Sequence, residues 1–389
     1  MLEQFTVDNF QSLINVVFRP RERSLLLGEN NAGKTNLCHA MRFLSGTTRN
    51  SLAECADYTT GTRAAITNLY FQKPSVEFSV RASLPFEGNV LTFEYRLVIR
   101  ADDPRSFAPA FEVEQESLHV TAGGMDGVAL LENTPQGSRA LNEGDVAHGA
   151  LRYVESQVPK GETALKVLFD AKAHPRTAAF KEYLFHWQYY ALCPQALRGT
   201  SHLPNHTALH TDGSNLGSVI YQLKTSDERR YRRLLECVKV VEPRVDAINF
   251  LLPSADRVFM LFEDARGNRL PAARVSEGTL RYLALSYLLM GQPPWGPSPL
   301  RIIEEPENGI YVGHLRDLLA LVEDSAAPQI VFTSHSPYFI DLFDDRLESV
   351  FVMQRGQFHS SLVQPDVQKV RERLERFPLG EQHFRRMLQ

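Results

Sequence analysis

Ser24-Leu25-Leu26-Leu27-Gly28-Glu29-Asn30-Asn31-Ala32-Gly33-Lys34-Thr35-Asn36-Leu37 is the stretch on which the reading of this chain turns. Ser24 to Leu27 is a short, nearly all-apolar run, the pattern of a strand buried on both faces. A glycine-rich turn follows, and then Leu37, Ala40, Met41, Phe43 and Leu44 recur at helical spacing. Residues 28–35 fit GxxxxGK[ST] in the strand–turn–helix setting which that pattern requires. In such a loop the glycines let backbone N–H groups turn inward around a phosphate. Lys34 adds a point charge for the β- and γ-phosphates, and the Thr35 hydroxyl suits Mg2+. The helix beginning there aims its positive dipole end at the same anion. Gly28, Asn30, Asn31, Ala32, Gly33, Lys34, Thr35 and Asn36 are the candidate nucleotide contacts. The competing reading is a glycine turn with a surface lysine.

Before this stretch, Phe5, Val7 and Phe10 form a short apolar strand. After it the period changes to two. Val76, Phe78, Val80, Ala82 and Leu84 alternate with polar residues, and Leu91 to Ile99 do the same beyond a turn at Glu87-Gly88-Asn89. An antiparallel hairpin is expected, with Phe111–Val120 extending it. Residues 121–150, rich in Gly, Asn and Asp, read as loops. From about 150 to 245 the pattern is helical, broken by Pro159, Pro175, Pro194 and Pro204. With no sustained heptad repeat, this predicts a compact helical subdomain and no long coiled coil. Strands at 257–263, 300–303, 330–333 and 349–353 then alternate with helices at 276–290 and 313–323, which indicates a mostly parallel sheet. The expected organisation is an N-terminal lobe over 1–150, a helical insertion over 151–250 and a C-terminal lobe over 251–389.

Three further segments carry chemistry. Leu300-Arg301-Ile302-Ile303-Glu304-Glu305-Pro306-Glu307-Asn308 delivers two adjacent acids to the C-terminal end of a buried strand, where ligands sit in parallel sheets. Glu304 fits a Mg2+ ligand and Glu305 a general base for water; the alternative is an acidic first turn of the next helix. Ile330–Thr333 ends in Ser334-His335-Ser336-Pro337, so His335 is placed to bond a γ-phosphate, unless it is a structural histidine. Val275-Ser276-Glu277-Gly278-Thr279-Leu280 opens a second helix. Ser276 is either a plain N-cap or a second phosphate-ready helix start. One lysine-bearing loop and two such starts are both used if two copies meet head to tail, giving a two-fold dimer with two composite sites.

Composition excludes other classes. The 389 residues, 44.0 kDa, are 43% hydrophobic and 23% charged, close to ordinary globular usage. A net charge of −4 excludes a chain coated in positive charge. Cys38, Cys55, Cys193 and Cys237 show no CxxC spacing, so a zinc site or disulfide framework is not expected. Without an 18-residue apolar run or a basic-then-apolar N-terminus, the expectation is a soluble cytoplasmic protein away from membranes.

The order GENNAGKT, VSEGTLRYLAL, IIEEPENGI and TSHSPYFID resembles the ABC-type ATPase heads of the SMC/RecF/OLD group, closest to the bacterial "AAA family" ATPases and the ATPase half of OLD proteins. The matched blocks cover 1–45 and 270–345. The resemblance implies a P-loop NTPase fold with an antiparallel β-subdomain, with ATP and Mg2+ as ligands. It makes Lys34 and Thr35 the Walker A pair, Ser276 and Gly278 the signature, Glu304 and Glu305 Walker B, and His335 the switch histidine. Asn308 falls in the loop that crosses the dimer interface, and Gln72 is the candidate glutamine of the Mg2+ shell. Two departures are informative: prolines exclude the long SMC arm, and residues 336–389 are too few for the nuclease domain of OLD proteins. The chain is then expected to be an ATPase without a built-in effector.

The resemblance further implies a homodimer or larger assembly acting on DNA or on a separate nuclease or toxin, in anti-phage defence or DNA repair. A nucleotide-sensing scaffold that holds a partner inactive is the alternative, and a transporter subunit a weaker one. Arg229, Arg232 and Arg233 share the outer face of a helix over 227–241, a candidate phosphate-contacting surface or simply a solvated face.

Overall fold

The computed structural model describes residues 1–388 except 72, 104–105, 123–124, 147–150, 168–170, 204–207, 291–297 and 324–328. The chain divides into two compact units, 1–187 with 351–365, and 188–350 with 366–388.

The first unit opens with β1 (Leu2–Asp8), β2 (Val16–Phe18), β3 (Arg23–Gly28), α1 (Lys34–Gly46) and α2 (Leu52–Thr60). The hairpin follows as β4 (Ser75–Phe86) and β5 (Asn89–Ala101), with Glu87 and Gly88 both at positive φ in the turn. That backbone matches the twist of the flanking strands. β6 (Phe111–Ala122), β7 (Met125–Thr134), β8 (Gly137–Leu141), α3 (Glu143–Val146), β9 (Tyr153–Ser156), α4 (Ala164–Val167) and α5 (Pro175–Phe185) complete this run. The antiparallel sheet has the order β2-β1-β4-β5-β6-β7-β8-β9.

Alternate residues Val76, Phe78, Val80 and Ala82 of β4 and Phe93, Tyr95 and Leu97 of β5 are buried. α1 packs there through Phe43, which stacks on Phe78 at 5.4 Å, while Phe10 lies 5.7 Å from Phe78. This aromatic cluster anchors the helix that begins at Lys34. Phe78→Ala is expected to destabilise the protein by about 3–5 kcal/mol, as for other large core truncations, read as a lower urea midpoint.

The second unit contains β10 (Gln188–Tyr190), α6 (Pro194–Leu197), β11 (Ser201–His202), α7 (Leu216–Ser226), α8 (Glu228–Val241), β12 (Val245–Ser254), β13 (Arg257–Asp264), β14 (Arg269–Pro271), α9 (Glu277–Met290), β15 (Leu300–Glu304), α10 (Leu315–Glu323), β16 (Gln329–Thr333) and α11 (Pro337–Ile340). β10, β15 and β16 are parallel neighbours, with Glu304 opposite Thr333. β11, β13, β12 and β14 form a separate antiparallel sheet. α8 packs against α9, and the Tyr231 hydroxyl donates to the Ile248 carbonyl at 2.7 Å. The chain returns to the first unit as β17 (Val350–Arg355) beside β3, and β18 (Ser360–Val363). α12 (Val367–Leu374) and α13 (Leu379–Phe384) finish the second unit, the Gly380 amide donating to Asp341 at 2.7 Å.

Two expectations change. The loops expected over 121–150 hold two strands among the described residues: β7 pairs with β6 and β8 with β7, which satisfies backbone groups that composition alone leaves unassigned. Residues 151–250 are not one helical subdomain. They contain β9, β10 and β11, and the border between the units falls after Trp187. Among the described residues the longest helices, α8 and α9, have 14 residues each, so no long coiled coil is present.

Candidate functional site

β3, buried from Ser24 to Gly28, carries the glycine loop into α1. Asn31 (φ 61°) and Gly33 (φ 104°) take left-handed backbone, the conformation of anion-binding turns, and the Ala32 amide donates to the Glu29 carbonyl at 3.1 Å. A side chain at Gly33 would place its Cβ 2.7 Å from Ser360 Oγ and 3.1 Å from Ser12 Oγ, so only glycine fits. Beneath the loop, Asn36 Nδ2 donates to Ser12 Oγ at 2.8 Å, and Ser12 and Ser360 share a 2.8 Å hydroxyl contact. The Ser360 amide also donates to the Ser12 carbonyl at 2.6 Å. Neither serine is marked by the motif, and no sequence signal links positions so far apart.

Lys34 is buried, and its Nζ donates to the carbonyls of Gly28 at 2.8 Å and Glu29 at 3.2 Å. The ammonium is thus held over the loop by neutral acceptors. Glu29, Asn30, Asn31 and Thr35 are exposed, and Ala32 is buried. The donor set therefore comprises the amides of a helix start, one cation and an exposed threonine. It fits a polyphosphate and a hard cation that keeps most of its waters.

In the second unit Glu305 leaves β15 at φ 45°. Its amide donates to the Thr333 carbonyl at 3.0 Å. Its side chain accepts from Asn308 Nδ2 and lies 3.7 Å from His335 Nε2. Glu305, Asn308 and His335 are thus brought together, with the Glu305 and His335 side chains 41% and 34% exposed, open to a ligand. Glu304 is half-buried at the strand end.

Glu307, which the paired-acid reading passes over, is buried. Its Oε1 accepts from Ser334 Oγ at 2.5 Å and from the amides of His335 at 3.1 Å and Ser336 at 3.2 Å. Burial pushes its carboxyl up while these donors pull it down. The carboxylate therefore fixes the loop that presents His335. Its place as the third acid of EEPE was the available clue.

Ser276 is exposed, and its Oγ accepts from the Thr279 amide at 3.1 Å, capping α9. A Cβ on Gly278 would stand 2.2 Å from the Gly309 carbonyl, so the start of α9 abuts the loop that follows the acids. Gln72 lies outside the described residues. On α8, Arg229, Arg232 and Arg233 are exposed as expected, but Arg232 is paired with Glu228. No group of three or more metal-binding His, Cys, Asp or Glu exists among the described residues. Nor is any described helix long and apolar enough to cross a membrane.

With this geometry in place, the relatives are informative. Residues 164–341 match the family described as "AAA domain, putative AbiEii toxin, Type IV TA system". The solved Smc head bound to the C-winged helix domain of ScpA superposes over 95% of this chain and 99% of that one, with TM-score 0.54 and 11% identity. An Smc head with an extended coiled coil, bound to the C-terminal domain of ScpA derived from Pyrococcus furiosus, covers 96% and 98%, with TM-score 0.51 and 11% identity. No curated protein matches in sequence. The chain has the α/β fold of SMC-type ATPase heads.

Proposed function

We propose that the protein binds ATP with Mg2+ and hydrolyses it as a dimeric switch. The observation that carries this reading is the buried Lys34 ammonium, held over a left-handed glycine loop at the start of a 13-residue helix. In this reading the amides of residues 33–35 and the Lys34 ammonium hold the β- and γ-phosphates, and Thr35 ligates the metal. Mg2+ supplies charge neutralisation of the phosphate oxygens. A recess of about 250 Å3 lined by Ser12, Thr67, Asn68, Tyr70 and Phe358 takes the base. Tyr70 and Phe358 pack against each other, ring centroids 5.2 Å apart and tilted by 43°, and give the recess an aromatic wall.

Glu304 is the metal-side acid, and Glu305 orients the water and takes its proton. His335 bonds the γ-phosphate and reports its presence. The exposed Ser276 end of α9 is assigned to the triphosphate of a second copy, with Gly278 allowing close backbone approach. Ser276→Arg is then expected to leave ATP affinity intact yet reduce turnover about 10²-fold or more, as for loss of a transition-state donor. Unchanged turnover would remove the shared-site assignment.

The output is assigned to a separate effector or to DNA, in bacterial anti-phage defence or repair. Support for an effector comes from α8, where Glu228 takes up part of the arginine charge that DNA would need. The proposed dependence on ATP supports a cytoplasmic location. The test of the whole reading is Mg2+-dependent phosphate release from ATP by the purified chain; no release above background would reject it.

A further inference from the structure

Arg281 lies on α9, five residues beyond Ser276, and is only 5% exposed. Its guanidinium bonds neutral acceptors: Nη1 donates to the Glu305 carbonyl at 3.2 Å and Nη2 to the Leu192 carbonyl at 2.9 Å. Nε has no hydrogen-bond partner. Burial lowers its pKa, and the charges of Glu277, Glu305 and Glu307 act the other way. A buried guanidinium held by carbonyls is a poor source of stability, since an apolar side chain of like volume is often as good or better. What the arginine does supply is a fixed direction for the Glu305 carbonyl.

That peptide is unusual. Glu305 takes a left-handed backbone, φ 45°, which a residue with a Cβ adopts only when its surroundings over-determine it. The Glu305 amide is bound to the carbonyl and hydroxyl of Thr333, at 3.0 and 3.3 Å. Its carbonyl accepts from the Asn308 amide at 3.1 Å as well as from Arg281. α9 thus meets the acid loop twice, at Gly309 through Gly278 and at Glu305 through Arg281.

We propose that Arg281 is a positioning residue that ties the Ser276 end of α9 to Glu305, so that engagement of Ser276 by a triphosphate sets the carboxylate against its water. This rests on the nucleotide reading above and extends it to how the two ends of the unit communicate.

The test compares the full-length wild type with Lys34→Ala, Arg281→Gln and Arg281→Lys. It measures Mg·ATP turnover, affinity for a fluorescent ATP analogue, and melting temperature. Arg281→Gln is expected to lower kcat about 10–100-fold, the scale of an ångström of misplacement, with affinity within about threefold. Arg281→Lys should recover part of that loss. Wild-type kcat in Arg281→Gln overturns the inference, as does a parallel fall of kcat, affinity and melting temperature. Should the glutamine variant not fold, the lysine variant decides: reduced kcat at unchanged affinity supports the inference, and wild-type kcat overturns it. If the wild type hydrolyses nothing, or Lys34→Ala still hydrolyses, the nucleotide reading fails and takes this inference with it. Turnover that needs Lys34 but is indifferent to Arg281 sinks the Arg281 inference alone.

Discussion

Lys34→Ala is expected to abolish measurable ATP binding. The Nζ atom is held 2.8 Å from the Gly28 carbonyl and 3.2 Å from that of Glu29, pointing back over the loop. A charge-assisted hydrogen bond to phosphate contributes about 1.5–3 kcal/mol, so losing one or two removes roughly 10- to 10⁴-fold in affinity. The remaining amides and the helix dipole do not replace a point charge. Titration calorimetry with ATP and Mg2+ reads this directly, with melting temperature as the control for folding. Tight binding by a folded Lys34→Ala protein would take the loop out of the nucleotide site altogether.

Glu305→Gln is expected to bind ATP normally and to lose turnover by about 10²–10⁴-fold, the range for removal of a general base. Glutamine has the same shape and still offers Asn308 an oxygen, so the contact that orients the side chain survives. It cannot accept the proton of the attacking water. If copies of the chain close over the nucleotide, this variant accumulates as an ATP-bound dimer. Sedimentation with and without ATP distinguishes the outcomes. A variant that turns over at the wild-type rate removes Glu305 as the base, and one that stays monomeric with ATP bound removes the dimer.

The elements around the motifs were legible because each is locally determined. The buried strand at Ser24–Leu27, the α1 stripe of Leu37, Ala40, Met41, Phe43 and Leu44, and the β4–β5 alternation all fall where their periodicity puts them. What escaped was non-local. β7 is a strand because β6 is there to pair with, and β8 because β7 is, while their Gly and Asn content reads as loop. Glu307 finds its partners at Ser334, His335 and Ser336, in the loop that follows β16. The arginine stripe on α8 was visible, but not that the Glu228 side chain would turn onto Arg232. A linear reading also has no means of seeing that residues 351–365 return to the first unit.

That return has a consequence for how the protein is made. Ser360 packs under Gly33 and bonds Ser12, 348 positions earlier, and β17 lies beside β3, so the glycine turn waits for a segment made much later. At roughly 5–20 residues per second, translation takes about 20–70 s to pass from Ser12 to Ser360. Until then the glycine turn lacks its floor, and a nascent or prematurely terminated polypeptide has no finished pocket to fill.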